Sequence, residues 1–181
     1  MKKILLFGAG KSATFLIDYL CSVCEENNWR LLLCDTDLVL AQSKITGCKN
    51  ASAISIDVGN DTKRKNLIQE ANIVISMLPP HLHFLVANDC LNFSKHLLTA
   101  SYIDEKIKIL DKEIEQKGLL FLCEMGLDPG IDHMSAMKII NQVKKEGGKI
   151  ISFKSHCEDW YHLTAITIPG IIKLPGTRQI L

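Results

Sequence analysis

No stretch of the 181 residues approaches the roughly 20 apolar positions that a membrane-spanning helix needs, so no membrane association is expected. The N-terminus lacks the long apolar core and small-residue cleavage site of a signal peptide, which predicts a cytoplasmic location. An excess of one charge is missing too. With 21 Lys+Arg against 20 Asp+Glu the formal net charge is +1, so there is no electrostatic reason to expect a nucleic-acid partner. Internal repeats and low-complexity segments are absent. The seven cysteines are an odd number: Cys21, Cys24, Cys34, Cys48, Cys90, Cys123 and Cys157. Most sit in apolar contexts, as small buried residues of a reduced protein would. Cys21-x-x-Cys24 has no second pair or histidine cluster to complete a redox or zinc site, and no metal is expected.

What is present has the balance of a globular α/β protein, 47% apolar and 23% charged. The chain is organised around its opening, MKKILLFGAGKSA. The apolar run Ile4–Phe7 suits a strand buried on both faces, and it breaks at Gly8-Ala9-Gly10 before an apolar-periodic segment from Ala13. A glycine loop between a strand and a helix is the context of a dinucleotide fingerprint. Gly8 allows the tight turn, and Gly10 lets a pyrophosphate approach the backbone. Ala13 stands in the third glycine's place and keeps helix and strand close. Lys11 and Ser12 complete the loop, where free N–H groups and the helix dipole favour phosphate.

The next strand, Trp29–Cys34, closes in Asp35. This acid falls about 20 residues past the loop, where such folds bind the adenosine ribose hydroxyls. A carboxylate there repels a 2′-phosphate, and Thr36-Asp37 supplies no arginine to hold one. The expected cofactor is therefore NAD, with NADP as the alternative. Asp35 also fits as the N-cap of a helix over Leu38–Lys44, and the two roles are compatible. A third strand, Ala53–Ile56, ends in Asp57-Val58, where Asp57 is placed to contact adenine or to serve as a turn acid. A helix over Asp61–Glu70 and a strand over Ile73–Ser76 follow. The exit Met77-Leu78-Pro79-Pro80 is expected to bend at the carboxyl edge of the sheet, where open α/β sheets bind ligands. A helix (His81–Leu91), a strand (His96–Thr99), a helix (Ile107–Gln116) and a strand (Gly118–Cys123) then complete an α/β, doubly wound parallel Rossmann domain over residues 1–123.

Next comes Glu124-Met125-Gly126-Leu127-Asp128-Pro129-Gly130-Ile131-Asp132-His133-Met134. Asp128 reads as an N-cap and Pro129 as the first helical position. That assignment leaves Asp132 and His133 unexplained in the first turn.

With these residues in view, the sequence resembles the glutamate-forming saccharopine dehydrogenases. The resemblance covers Met1–Cys157 and rests on GAGKSA at Gly8–Ala13, DV at Asp57-Val58, ASY at Ala100–Tyr102, GLDPGIDH at Gly126–His133 and SFKSHC at Ser152–Cys157. It implies an NAD(P)-dependent enzyme of lysine metabolism interconverting saccharopine with glutamate and 2-aminoadipate 6-semialdehyde. The related carboxynorspermidine/homospermidine-type reductases are the competing enzyme assignment. The resemblance further implies that Leu127, Asp128, Pro129, Gly130, Ile131, Asp132 and His133 line the cofactor. Ser101, Tyr102 and Asp128 would touch an amino-acid substrate. Asp128 is assigned to hold the substrate ammonium and His133 to be the acid/base, although a helix-capping histidine accounts for His133 equally well. Residues 124–157 would begin an α/β substrate domain, with Ile150–His156 as its first strand.

Downstream of Cys157 the likeness stops. Family members continue with Gly-Gly-Leu, Asn-Pro-Trp and Trp-Asn-Pro segments, whereas this chain reads EDWYHLTAITIPGIIKLPGTRQIL. Back-translated and read one base earlier, the tail recovers Gly-Gly-Leu-Val, Asn-Asn-Pro-Trp-His-Tyr-Lys and Thr-Trp-Asn-Pro in that order. Residues 158–181 are therefore expected to be the out-of-frame product of one lost base, leaving the substrate domain incomplete. On this reading the chain keeps nucleotide binding and loses turnover, acting as a nucleotide-binding module or as a non-functional product. A homodimer is admitted for the full-length form.

Overall fold

The computed structural model describes residues 1–154; the tail expected to be out of frame lies outside the described residues. Six strands form one parallel sheet: β1 (Lys3–Phe7), β2 (Arg30–Asp35), β3 (Ala51–Ser55), β4 (Ile73–Ser76), β5 (His96–Thr99) and β6 (Phe121–Leu122). Their order is β3-β2-β1-β4-β5-β6, every neighbouring pair being parallel. The helices are α1 (Thr14–Glu26, entered by a 3-10 turn at Lys11–Ala13), α2 (Leu38–Lys44), α3 (Asp61–Glu70), α4 (Pro80–Asn92), α5 (Glu105–Ile109), α6 (Asp111–Gln116) and α7 (Ile131–Lys145). No helix among the described residues is long and apolar enough to cross a membrane.

The uninterrupted apolar runs follow from a sheet covered on both sides. Side chains alternate along a strand, so odd and even positions enter different cores. Leu5, Phe7, Leu32, Cys34, Val74 and Leu97 pack with Ile68 of α3 and Val86, Ala87 and Cys90 of α4. Ile4, Leu6, Leu31, Leu33 and Ile75 pack on the other face against Ile17, Leu20 and Cys24 of α1 and Ala41 of α2. Each such fully buried aliphatic side chain contributes roughly 1.5–3 kcal/mol relative to exposure.

Several expectations are corrected. Cys21 and Cys48 are not merely packed but disulfide-bonded, because the segment after α2 folds back onto α1 and brings their Cα atoms to 5.5 Å. Cys24, Cys34, Cys90 and Cys123 are free and buried. The cap of α2 is Asp37, which accepts from the Leu40 amide at 2.9 Å, and not Asp35. The helix expected over Ile107–Gln116 is two, because at Leu110 the amide turns to the Ile107 carbonyl in a tighter i→i−3 bond. The sixth strand shrinks to Phe121–Leu122, the only positions paired with β5. Residues 150–154 form no strand, having no ladder partner among the described residues.

The start of α7 is also corrected. Asp128 does not cap it and Pro129 is not its first residue; the helix begins at Ile131. Gly126 donates to the Pro129 carbonyl at 2.8 Å and Ile131 donates to the Gly126 carbonyl at 2.9 Å, closing a knot before the helix. Gly130 has φ 149°, and a Cβ there would lie 2.1 Å from the Gly126 oxygen, so the knot requires glycine.

Candidate functional site

The sheet register brings the candidate residues to one edge. Phe7 pairs with Cys34 and Ser76, and Ser76 pairs with Thr99, so the strands end in a common row. The residues that follow in this row (Gly8, Asp35, Met77 and Ala100) all lie at the carboxyl edge of the sheet, Asp35 as the last residue of β2. The strand order reverses between β1 and β4, the place where open α/β sheets form a ligand crevice.

At the mouth of β1, Gly8 takes φ +100° and its amide donates to the Cys34 carbonyl at 2.8 Å. A Cβ on Gly8 would stand 2.7 Å from the Met77 carbonyl oxygen. Gly10 is different: it is exposed, and a Cβ there would meet nothing within 4 Å. Exposed Lys11 and Ser12 begin the helical segment, where amides have no preceding turn to bond. Ala13 is fully buried against the sheet, as the tight strand–helix contact requires.

Asp35 has a local task that its sequence position does not reveal. Its Oδ2 accepts from the Ala9 amide at 2.7 Å, while Oδ1 accepts from the Asp37 amide at 3.0 Å. The carboxylate thereby ties β2 to the glycine loop. Asp57 is exposed beyond β3 and accepts from the Gly59 amide at 2.8 Å. Val58 is buried in the core, and its carbonyl accepts from the buried Arg64 Nη1 at 2.5 Å. Arg64 is itself buried, pairing with buried Asp89 of α4 at 2.7 Å and with Asp61 at 2.8 Å.

Beyond β5 and β6 two loops meet. Glu124 donates its amide to the Ser101 carbonyl at 3.1 Å, and the Ile103 amide donates to Glu124 Oε1 at 3.2 Å. The Tyr102 hydroxyl donates to Asp128 Oδ1 at 2.5 Å. That bond to the carboxylate, with desolvation and the charges of Asp128, Asp132 and Glu124, pushes the Tyr102 phenol up to about 12. Asp132 Oδ1 accepts from the Gly130 amide at 2.9 Å and stands 2.8 Å from His133 Nδ1. Burial raises the Asp132 carboxyl, but hydrogen bonds from the His133 and Gly130 backbone and from the His133 ring outweigh it, leaving it below the usual range. His133 is exposed, and Leu127 and Ile131 present 69% and 58% of their surface. Asp128, Asp132 and His133 place one ligand-type atom each within 4.8 Å of one another, and the bonds just given already use these groups.

Sequence reasoning missed a buried polar group beside these loops. His83 sits in the first turn of α4, only 3% exposed. Its Nδ1 is 2.8 Å from Ser76 Oγ and its Nε2 is 2.7 Å from Ser101 Oγ. The available signal was a histidine one turn past a strand exit at the binding edge.

With the geometry in hand, comparison with known proteins is decisive. Residues 4–122 match the saccharopine dehydrogenase NADP binding domain, and residues 126–170 match the saccharopine dehydrogenase C-terminal domain. The chain belongs to the saccharopine dehydrogenase family. It is 38% identical over 157 residues to a Schizosaccharomyces pombe protein named saccharopine dehydrogenase [NADP(+), L-glutamate-forming], covering 87% of this chain and 34% of the relative. It is 33% identical over 171 residues to an Arabidopsis thaliana alpha-aminoadipic semialdehyde synthase, covering 85% of this chain and 16% of the relative. Among solved structures it is similar to apo saccharopine dehydrogenase (L-Glu forming) from Saccharomyces cerevisiae. That likeness has a TM-score of 0.74 and 32% identity, over 83% of this chain and 33% of the other. The chain thus spans between about a sixth and a third of the length of these relatives. The saccharopine dehydrogenase domain matched is an NADP-binding one, which reverses the order of the expectation that put NAD first. Asp35 misled because a carboxylate that staples the glycine loop occurs there for a reason of its own.

Proposed function

We propose that this protein binds a nicotinamide dinucleotide at the carboxyl edge of its sheet and serves glutamate-forming saccharopine oxidation. The observation that carries the reading is the meeting of Tyr102 with Asp128, which joins the loop after β5 to the knot before α7 at the ligand edge. When bound, the dinucleotide would supply the hydride acceptor for the carbon bearing the secondary amine of saccharopine. Water adds to the resulting imine, and the C–N bond then breaks to release glutamate and 2-aminoadipate 6-semialdehyde. Gly8–Ala13 would hold the pyrophosphate, Asp35 and Asp57 the adenosine end, and Leu127–His133 the nicotinamide end. Ser101, Tyr102 and Asp128 would position substrate, Asp128 offering a carboxylate to the amine. Exposed His133, oriented by Asp132, would exchange the proton. Tyr102, held protonated, donates and does not act as base at neutral pH.

NADP is the first nucleotide reading, from the family of the domain. NAD is the second, favoured by the Asp35 carboxylate where a 2′-phosphate would lie. The reading keeps a small-molecule amino-acid substrate, a homodimer for the full-length form and the division at residues 123/124. It also keeps a cytoplasmic location, supported by four free buried cysteines among the described residues and opposed by the Cys21–Cys48 bond.

The test is fluorescence titration of the chain with NADPH and NADH, followed by saccharopine-dependent formation of reduced nucleotide. Binding with turnover supports the full reading. Binding without turnover leaves a nucleotide-binding module, and absence of binding overturns it.

A further inference from the structure

Ser76 is wholly buried at the end of β4, and Thr99 at the end of β5 is 2% exposed. Between them the His83 ring makes two short contacts, to Ser76 Oγ through Nδ1 and to Ser101 Oγ through Nε2. Thr99 Oγ1 is a longer second contact to the ring, 3.4 Å from Nδ1 and 3.5 Å from Nε2. A buried hydroxyl needs an acceptor for its hydrogen, and among the described residues His83 Nδ1 is the partner that Ser76 Oγ has. Nδ1 is then unprotonated. A neutral imidazole has one N–H, so that hydrogen sits on Nε2 and points at Ser101. Burial of the ring favours the neutral form and lowers the His83 pKa, with Asp104 opposing and His81 assisting.

We infer that His83 is a positioning residue: held as the Nε2–H tautomer by Ser76, it donates to Ser101 Oγ and so leaves the Ser101 O–H free to donate outward to a ligand oxygen. The consequence is directional. Ser101 is half-buried at the carboxyl edge, its carbonyl is held by Glu124 and its amide donates to Thr99 Oγ1 at 3.3 Å, so its backbone is fixed as well. With one of its two lone pairs occupied from behind, the Ser101 hydroxyl offers its O–H to acceptors, such as a carboxylate of an amino-acid substrate or the carboxamide oxygen of nicotinamide. This inference rests on the reading that Ser101 faces the ligand. The state of His83 can be measured without that reading.

The first measurement is a long-range proton–nitrogen NMR spectrum of the full chain with 15N-histidine, near pH 7.5, assigned by His83→Gln. An unprotonated Nδ1 and a protonated Nε2 are expected. The Nδ1–H tautomer, or a doubly protonated ring, overturns the proposal. In Ser76→Ala the single-tautomer signature is expected to be lost; its persistence overturns the locking role. The second measurement titrates wild type, Ser101→Ala, His83→Gln and His83→Leu with NADPH, alone and with saccharopine present. Ser101→Ala and His83→Leu should weaken binding by about tenfold in one arm, while His83→Gln, which retains a donor, should recover most of it. A loss with NADPH alone assigns the acceptor to the dinucleotide, and a loss only with saccharopine assigns it to substrate. Unchanged binding in both arms overturns the donor role. A wild type that binds neither ligand while keeping the Nε2–H ring removes the functional reading alone.

Discussion

The Tyr102 hydroxyl and the Asp128 carboxylate, 2.5 Å apart, join a loop after β5 to the knot before α7. The bond fixes the proton on Tyr102 and leaves Asp128 as the acceptor. Tyr102 is therefore expected to titrate at about 12, well above the ordinary 10.0. In Asp128→Asn the charge and the strong acceptor are removed, and the value should fall toward 10.0. Ultraviolet pH-difference spectra, with Tyr102→Phe subtracted to isolate this phenol, check it. A Tyr102 that titrates normally in wild type would show that the contact does not persist in solution.

Two glycines of one loop should fail differently. Gly8→Ala forces a Cβ to 2.7 Å from the Met77 carbonyl at φ +100°, so the fold itself is strained, at roughly 1–3 kcal/mol. Gly10→Ala meets nothing within 4 Å, and its φ of −61° suits any residue. Gly8→Ala should lower the thermal midpoint, whereas Gly10→Ala should melt like wild type and lose dinucleotide affinity. Equal affinities for Gly10→Ala and wild type would remove the pyrophosphate from this loop.

The parts of the fold that were legible were those written in hydrophobic pattern. Ile4–Phe7 and Leu31–Cys34 carry no polar alternation because both faces of their strands are covered, and the glycine loop breaks the first run where the edge lies. The binding edge was legible for the same reason, since parallel strands that alternate with helices end on one side. What escaped was encoded in distance along the chain. Ser76, His83 and Ser101 look ordinary singly, and only the register of β4 against β5 makes them a unit. Cys48 finds Cys21 through the return of the chain after α2. Asp128-Pro129 has the composition of a helix start, but the Gly126–Gly130 pairing captures that backbone and moves the helix to Ile131.

Asp35 should affect both loop and nucleotide. Ala9 is fully buried and its amide donates to Asp35 Oδ2, so Asp35→Ala leaves that group without its acceptor, at roughly 1–3 kcal/mol. Removing the carboxylate also removes its repulsion of a 2′-phosphate. The NADPH-to-NADH affinity ratio should therefore rise while urea stability falls. A ratio that does not move would place the 2′-position away from Asp35.

The Arg64–Asp89 pair is a buried ion pair between α3 and α4, with side chains 3% and 1% exposed. Arg64 also holds the Val58 carbonyl, so it fixes the loop that carries Asp57. Asp89→Leu leaves the buried Arg64 Nε without its acceptor, while Asp61 and the Val58 carbonyl still hold the guanidinium, and should destabilise by about 1–3 kcal/mol. Arg64→Leu/Asp89→Leu together should cost less than the two single changes summed. A double-mutant cycle by urea denaturation measures the coupling, and additive losses would deny it.

The pH dependence of folding should carry the signature of His83. Its pKa in the folded chain lies below the ordinary 6.5, first because burial disfavours the charged ring, partly offset by Asp104 and reinforced by His81. Above 6.5 the ring is neutral in both folded and unfolded chains, and its contribution to stability is complete. As pH falls below 6.5 the unfolded chain takes up a proton that the folded chain resists, so unfolding is increasingly favoured. The loss grows until the pH passes the lowered folded value, and then levels. The informative quantity is the difference in urea-unfolding free energy between wild type and His83→Gln across pH 5 to 8. Wild type should lose stability relative to the variant on acidification. A difference that is flat with pH, or that favours wild type in acid, would mean that the ring accepts its second proton as readily in the fold as in the open chain.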